Sequence, residues 1–273
     1  MLRHCSFRRQ KRKREEKPPC LRDAKQRKKG DVVASTSVKK EDLKKTKKIE
    51  EAVVTLKPRG IPPVPNVQAR AIFMLDKAPL RKGLIRKRWK ILNSEEDADF
   101  LLKQKKNLND YRPDIVHEAV RAIFDSPLNR AGMVGAVYVK IDNGVWFEIK
   151  THVRIPRTCK RFCGVMLKLL EKSCIRDKDM GEILIRVIEE PVIPSNSRIV
   201  GLSYSSEKLV DIEDYVCAAS DDLNLVFVVG TMVNGKINRE NTDDFISISN
   251  YPLGSRCCMG QICEALEQKW KIY

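Results

Sequence analysis

The chain has 273 residues, 42% of them hydrophobic and 33% charged, with a formal net charge of +17 at pH 7. That length suits one large domain with extensions or two small domains. No apolar run approaches the ~18–20 residues that cross a bilayer, so a soluble protein is expected, without a membrane partner.

Residues 1–60 carry 21 Lys and Arg against 8 Asp and Glu, which leaves 32 against 28 for the rest. This first stretch has few large apolar groups and no sustained period, so it cannot bury enough surface to fold alone. Residues 1–66 are therefore expected to be a disordered basic tail, closed by the Pro-rich linker Pro58–Pro65. The runs Arg8–Arg14 and Gln26–Lys29 are spaced like a nuclear import signal. Glu15 and Glu16 argue against a mitochondrial presequence, so the nucleus is the expected compartment. The same clusters would hold any polyanion by counterion release.

The folded domain is expected over 67–273. Ala71–Leu75 reads as a buried strand, apolar on both faces. Residues 81–109 are highly charged and take no assignment. A helix opens at Pro113 with Asp114 as its N-cap, carries Ile115, Ala119, Val120, Ile123 and Phe124 at helical spacing, and stops at Pro127. Val134–Ile141 and Val145–Ile149 read as strands turning at Asp142-Asn143-Gly144. Thr158 caps a second helix that buries Phe162, Met166, Leu169 and Leu170. There follow a helical segment over Ile183–Ile188, strands at 225–229 and Phe245–Ser249, and a helix from Gly254 to Lys271 that buries Cys258, Ile262, Leu266 and Trp270. Alternating strands and helices with continuous apolar strands predict an α/β domain with a mainly parallel sheet.

Two glycine-bearing loops carry the strongest chemical signal. The run Val226–Val229 ends at Gly230, with Gly235 and Lys236 following, and Ile248–Leu253 leads into the last helix. A buried strand ending in glycine lets backbone approach a ligand closely, as in nucleotide-like pockets of α/β proteins. Gly230, Gly235 and Lys236 fit the start of a phosphate-binding P-loop. However, Ile237 stands where the magnesium-ligating hydroxyl belongs, and the polar run 238–244 has no helical stripe. A different adenosine-bearing ligand is the better expectation. Arg154, Arg157 and Arg161 cluster about the start of the second predicted helix, where guanidiniums and the helix N-terminus together attract phosphate. Arg112 adds a further contact, oriented by Asp114. Nine cysteines, odd in number, show no C-x-x-C pairing, and histidine occurs only at His4, His117 and His152. No metal is expected, and the thiols fit a reducing compartment. Cys159 and Cys163 fall on adjacent helical turns, which fits helix packing.

Six stretches resemble one family in order along 70–273: Arg112–His117, Asp125–Gly132, Arg154–Thr158, Arg161–Gly164, Val226–Gly230 and Ser247–Leu253. The chain resembles the nucleolar essential protein family of pseudouridine-N1-specific ribosomal RNA methyltransferases, of the SPOUT (α/β-knot) class. The resemblance implies a C-terminal trefoil knot, which no periodicity reveals because true knots are essentially absent from proteins. It also implies a homodimer, nucleolar localisation, a small-subunit ribosomal RNA substrate, and partners among pre-ribosomal assembly factors. S-adenosylmethionine would be held near Leu202, Gly230 and Gly235 and by Ile248, Ser249, Asn250, Tyr251, Pro252 and Leu253. RNA would be held by Arg112, Val153, Arg154, Arg157 and Arg161. Val153 stands where the resemblance expects a small hydroxyl residue, and Cys159 where it expects an aromatic.

The implied reaction is an in-line attack by pseudouridine N1 on an activated methyl, accompanied by loss of the N1 proton. Positioning alone can supply much of such a rate. No residue stands out as general base: Asp114 reads as the group orienting Arg112, and His117 as structural. A non-catalytic RNA-binding assembly factor is the alternative to an enzyme.

Overall fold

In the computed structural model of the chain, residues 70–272 are described; the basic tail, its import-like clusters and the Pro-rich linker lie outside them. Strand β1 (Ala71–Ala78) is apolar on both faces because both faces are covered. Phe73 and Leu75 enter the main core, whereas Ile72 and Met74 enter a smaller cluster with Tyr138 and Val226 on the other face. This is the period-2 alternation of a central strand.

β1 pairs in parallel with β4 (Val134–Ile141) on one side and β9 (Asn224–Gly230) on the other. The sheet extends in parallel from β9 to β8 (Ser197–Leu202) and then β10 (Asp244–Ile246). Beyond β4 the pairing turns antiparallel, through β5 (Trp146–Ile149), β7 (Ile183–Ile188) and β6 (Cys174–Arg176). The parallel half matches expectation, and the antiparallel edge adds to it. Ile183–Ile188 is a strand, not a helix. Its β-branched residues ladder between β5 and β6, and so short an apolar run fits either period.

The charged stretch after β1 is ordered. A separate hairpin, β2 (Lys82–Ile85) and β3 (Arg88–Ile91), leads into α1 (Ala98–Lys103) and a 3-10 turn at Leu108–Asp110. Helix α2 (Pro113–Asp125) begins one residue earlier than its predicted cap. Arg112 occupies the N-cap position, Pro113 the first turn, and Asp114 lies inside the helix, so the N-cap assignment to Asp114 is corrected. Its buried face is Val116, Ala119, Val120, Ile123 and Phe124, with Val116 rather than Ile115 opening the stripe. A short α3 (Pro127–Arg130) follows. Helix α4 (Cys159–Lys172) has Thr158 at its N-cap position, but the hydroxyl makes no capping bond. Helices α5 (Ile212–Cys217) and α6 (Ser255–Lys269) complete the layer. Buried residues of α2, α4, α5 and α6 all join the cluster that holds Phe73 and Leu75, so these helices share one face of the sheet.

The C-terminal passage sets up the site. β9 lies between β8 and β1, while β10 lies on the outer side of β8, so residues 231–243 carry the chain across the end of β8. β10 is fixed there by Tyr215, whose hydroxyl donates to Asp244 Oδ2 at 2.6 Å, and by Lys208, whose Nζ is 3.3 Å from Asp244 Oδ1. The Tyr215 bond, then Lys208, hold the Asp244 carboxyl below its ordinary range. We expect Tyr215→Phe to lower unfolding free energy by about 1 kcal/mol at neutral pH, the worth of one such bond. Because a depressed carboxylate contributes its full stability above its unfolded pKa and loses it as pH falls through the folded one, the deficit should shrink as pH falls below ~4. Urea denaturation of both proteins at neutral and acid pH measures this.

Candidate active site

The expected cofactor residues assemble at one edge of the sheet. Leu202 ends β8, Gly230 ends β9, and Ile248–Leu253 follow β10. These strands are parallel, so their carboxyl ends open on the same side, where open α/β sheets place ligands. The loops are cross-tied there. Ser203 N donates to Ile246 O at 2.9 Å, Ser247 N to Lys208 O at 2.8 Å, and Val210 N to Ser247 O at 2.9 Å. Ser255 Oγ, in the first turn of α6, donates to Gly230 O at 2.7 Å and fastens the helix to the end of β9. Within the last loop, Ser247 Oγ donates to Ser249 O at 2.7 Å and Tyr251 N to Ser249 Oγ at 3.0 Å. Leu202 is buried, whereas Asn250, Tyr251 and Pro252 are exposed.

Gly230 and Gly235 both lie against Met232. A Cβ on Gly230 would stand 2.7 Å from Met232 Cε, and one on Gly235 3.1 Å from Met232 Sδ. Gly235 also has φ of +139°, a conformation L side chains rarely adopt. The two glycines thus form a cradle that side chains would fill, roofed by one flexible thioether. The chain after Gly230 does not form a P-loop, because β9 is followed by irregular chain rather than a helix.

Beside this edge runs a groove of about 510 Å³, whose lining includes Glu95, Asp114, His117, Arg157, Cys159 and Arg256. Asp114 grips Arg112 with both oxygens, at 2.9 Å and 3.0 Å to Nε and 2.6 Å from Oδ2 to Nη2. That grip holds the Arg112 guanidinium more firmly protonated than usual. Arg154, Arg157 and Arg161 are exposed. Because α4 begins at Cys159, Arg157 stands before the helix and only Arg161 lies in its first turn, so the two do not share a helical face. Val153 departs from the expectation of an RNA contact: at 1% exposure its side chain packs in the core, as its apolar chemistry dictates.

His117 is buried, 2.7 Å from Pro156 O, with its ring 5.1 Å from that of Phe162. A carbonyl only accepts, so Nε2 carries the proton and pins the arginine loop to α2. Cys159 and Cys163 place their sulfurs 3.8 Å apart on successive turns; their mutual bond pulls the first thiol's pKa down and pushes the second's up. Among the described residues, no group of three or more His, Cys, Asp or Glu side chains is arranged to hold a metal ion. The residue that sequence reading missed is Arg256. It stands two positions after Gly254, in the first turn of α6, and lines the same groove as Arg157. A lone arginine has no local signature, and only the packing of α6 beside α2 reveals it.

A profile described as EMG1/NEP1 methyltransferase matches residues 33–267, taking in part of the segment expected to be tail. The mouse protein "Ribosomal RNA small subunit methyltransferase NEP1" is 37% identical over 206 residues, covering 74% of this chain and 83% of its own. The Drosophila melanogaster protein of that name is 35% identical over 213 residues, covering 75% and 84% respectively. Among solved structures, Archaeoglobus fulgidus Nep1 bound to S-adenosylhomocysteine superposes with a TM-score of 0.58 at 17% identity, over 75% of this chain and 99% of that one. That likeness shows a shared fold.

Burial, foremost, pushes the His117 imidazole below its ordinary pKa. The unfolded chain therefore takes up a proton near pH ~6.5 before the native protein does, and stability is lost as pH falls below that value. His117→Gln keeps an N–H donor but has no proton to gain. Its unfolding free energy should fall less steeply between about pH 7 and about pH 5 than that of the parent protein. Parallel slopes in urea titrations would assign the pH dependence elsewhere.

Proposed function

The chain belongs to the EMG1/NEP1 methyltransferase family, and from that premise we propose that it methylates N1 of a pseudouridine in a loop of small-subunit ribosomal RNA, using S-adenosylmethionine. The observation that carries this reading is adjacency. The glycine cradle and the arginine groove meet at the first turn of α6, where Ser255 binds the Gly230 carbonyl and Arg256 lines the groove. The small-subunit ribosomal RNA in the relatives' names and the S-adenosylhomocysteine in the Archaeoglobus fulgidus structure support the substrate and donor classes.

Gly230, Gly235, Leu202 and the backbone of Ile248–Leu253 would hold the donor; when bound it supplies a methyl group on a positively charged sulfur. The chain's own residues do the rest. Arg154, Arg157, Arg161 and Arg256 bind the phosphates of an RNA loop, whose unpaired base can leave the stack to reach the cradle. Arg112, its Nε and Nη2 held by Asp114, keeps Nη1 to stabilise negative charge on the pyrimidine as its N1 proton departs. Asp114 is committed to Arg112, and His117 to Pro156, so neither takes the N1 proton, which passes to solvent water. Rate arises from orientation and from fixed positive charge. The same reading carries a homodimer and a knotted C-terminus, formed by the passage of 231–243 across β8. It also carries nucleolar localisation through the basic clusters, and partners among pre-ribosomal assembly factors.

Labelled S-adenosylmethionine with two RNA hairpins, identical but for uridine or pseudouridine at one loop position, tests the reaction. Label should enter only the pseudouridine RNA; transfer to both would refute N1 specificity. Gly230→Val fills the cradle; its Cβ would stand 2.7 Å from the flexible Met232 Cε and 3.3 Å from Ile237 Cγ2. It should weaken S-adenosylhomocysteine binding at least tenfold by calorimetry while the melting temperature moves by only a few degrees, about 1 kcal/mol. Arg112→Ala should lower the single-turnover rate at saturating RNA by about 10²-fold, the scale of losing one preorganised donor. An unchanged saturated rate would reduce Arg112 to a binding group.

A further inference from the structure

Residues 81–90 read Arg-Lys-Gly-Leu-Ile-Arg-Lys-Arg-Trp-Lys, six of ten basic, and none of this is used by the site above. They fold into the β2–β3 hairpin, which stands apart from the main sheet. It is anchored on both faces: Ile91, on the face that bears Trp89, enters the main core, and on the other face Ile85 packs with Leu92, Leu101 and Tyr111 while the absent side chain of Gly83 leaves room for Leu92. Toward the turn, the face that bears Leu84 and Trp89 is open. Leu84 and Trp89 are cross-strand partners, 49% and 54% exposed. Lys82 Nζ lies 5.7 Å from the Trp89 ring centroid.

The turn is made by Arg86 and Lys87, with φ of +49° and +64°. Asn-Gly would adopt those angles with less strain. Two long cations therefore hold a turn that their own chemistry disfavours, a pattern that goes with function rather than folding. Arg81 is tied down by Asp142 and Asp110, and Lys90 by Glu96 and Asp97. Lys82, Arg86 and Lys87 are exposed and form no ion pair among the described residues. The hairpin also stands next to the groove: β3 packs on α4, and the strap that bonds Lys90 includes Glu95, which lines the groove with Arg157.

We propose that this hairpin is a second RNA-binding element, which takes a single-stranded nucleotide flanking the target loop. One base stacks on Trp89 while Lys82, Arg86 and Lys87 meet the neighbouring phosphates. An indole with a lysine ammonium over one ring face, preceded by two exposed cations in the turn, combines a stacking platform for one base with the electrostatic track that single strands require. The charge selects a polyanion, and the exposed ring selects one with unpaired bases. This inference rests on the reading of the arginine groove as the RNA site.

The test uses the full chain and two labelled RNAs, a pseudouridine stem-loop and the same stem-loop with a single-stranded extension. The parent protein should bind the extended RNA roughly tenfold more tightly, and Trp89→Ala should remove that gain while Trp89→Phe retains most of it. Combined Lys82→Ala, Arg86→Ala and Lys87→Ala should lower the slope of log affinity against log salt by about 2, the loss of three single-strand phosphate contacts. None of these changes should alter the methyl-transfer rate at saturating RNA. If extension brings no gain, or Trp89→Ala keeps it, the hairpin proposal is wrong while the groove reading stands. Altered oligomeric state in Trp89→Ala with unchanged RNA affinity would overturn the proposal in favour of a protein-facing patch. A parent protein that binds neither RNA would remove the groove reading and this proposal together.

Discussion

The return of the chain to the outer side of β8 is the constraint on which the rest depends. Had β10 paired anywhere else, Ser247 could not bond Lys208 and Val210, and the run Ile248–Leu253 would not reach the ends of β8 and β9. The same passage delivers Ser255 to the Gly230 carbonyl and so sets the start of α6. From there α6 packs beside α2, and its far end reaches back to α3, where Glu267 accepts from Leu128 N at 3.0 Å. One crossing therefore positions both the glycine cradle and the wall of the arginine groove.

Charge in the groove is organised by commitment rather than by amount. Outside residues 1–60 the chain is only slightly basic, with 32 Lys and Arg against 28 Asp and Glu. Arg112 is gripped bidentately, and Arg81 and Lys90 are neutralised by carboxylates. Arg154, Arg157, Arg161 and Arg256, and Lys82, Arg86 and Lys87 of the β2–β3 hairpin, have no carboxylate partner among the described residues.

Much of this was legible from residues alone, for identifiable reasons. β1, β4 and β9 announce themselves by continuous apolar runs, and α2, α4 and α6 by their stripes. The strand at Ile183–Ile188 was misread because six apolar-rich residues fit a helix turn as well as a ladder. β8 passed unnoticed because Arg198 and Gly201 interrupt its apolar pattern. The hairpin was hidden because Arg86-Lys87 lacks the Asn-Gly signature of its turn. Nothing local distinguishes Val153, whose burial depends on the sheet beneath it, or Arg256, whose place depends on a helix far along the sequence from its neighbours in the groove. The order of strands across the sheet is likewise a property of the whole chain, with no trace in any window of it.

The position of Met232 over both glycines has a kinetic meaning. A ligand entering the cradle displaces a side chain with three rotatable bonds, not a length of backbone, and such rotamer changes take picoseconds to nanoseconds. Admission to the cradle is then limited by diffusion and fit rather than by the opening of a lid. Under the proposed reaction, the loops around it can stay cross-tied, and slow steps are left to the RNA.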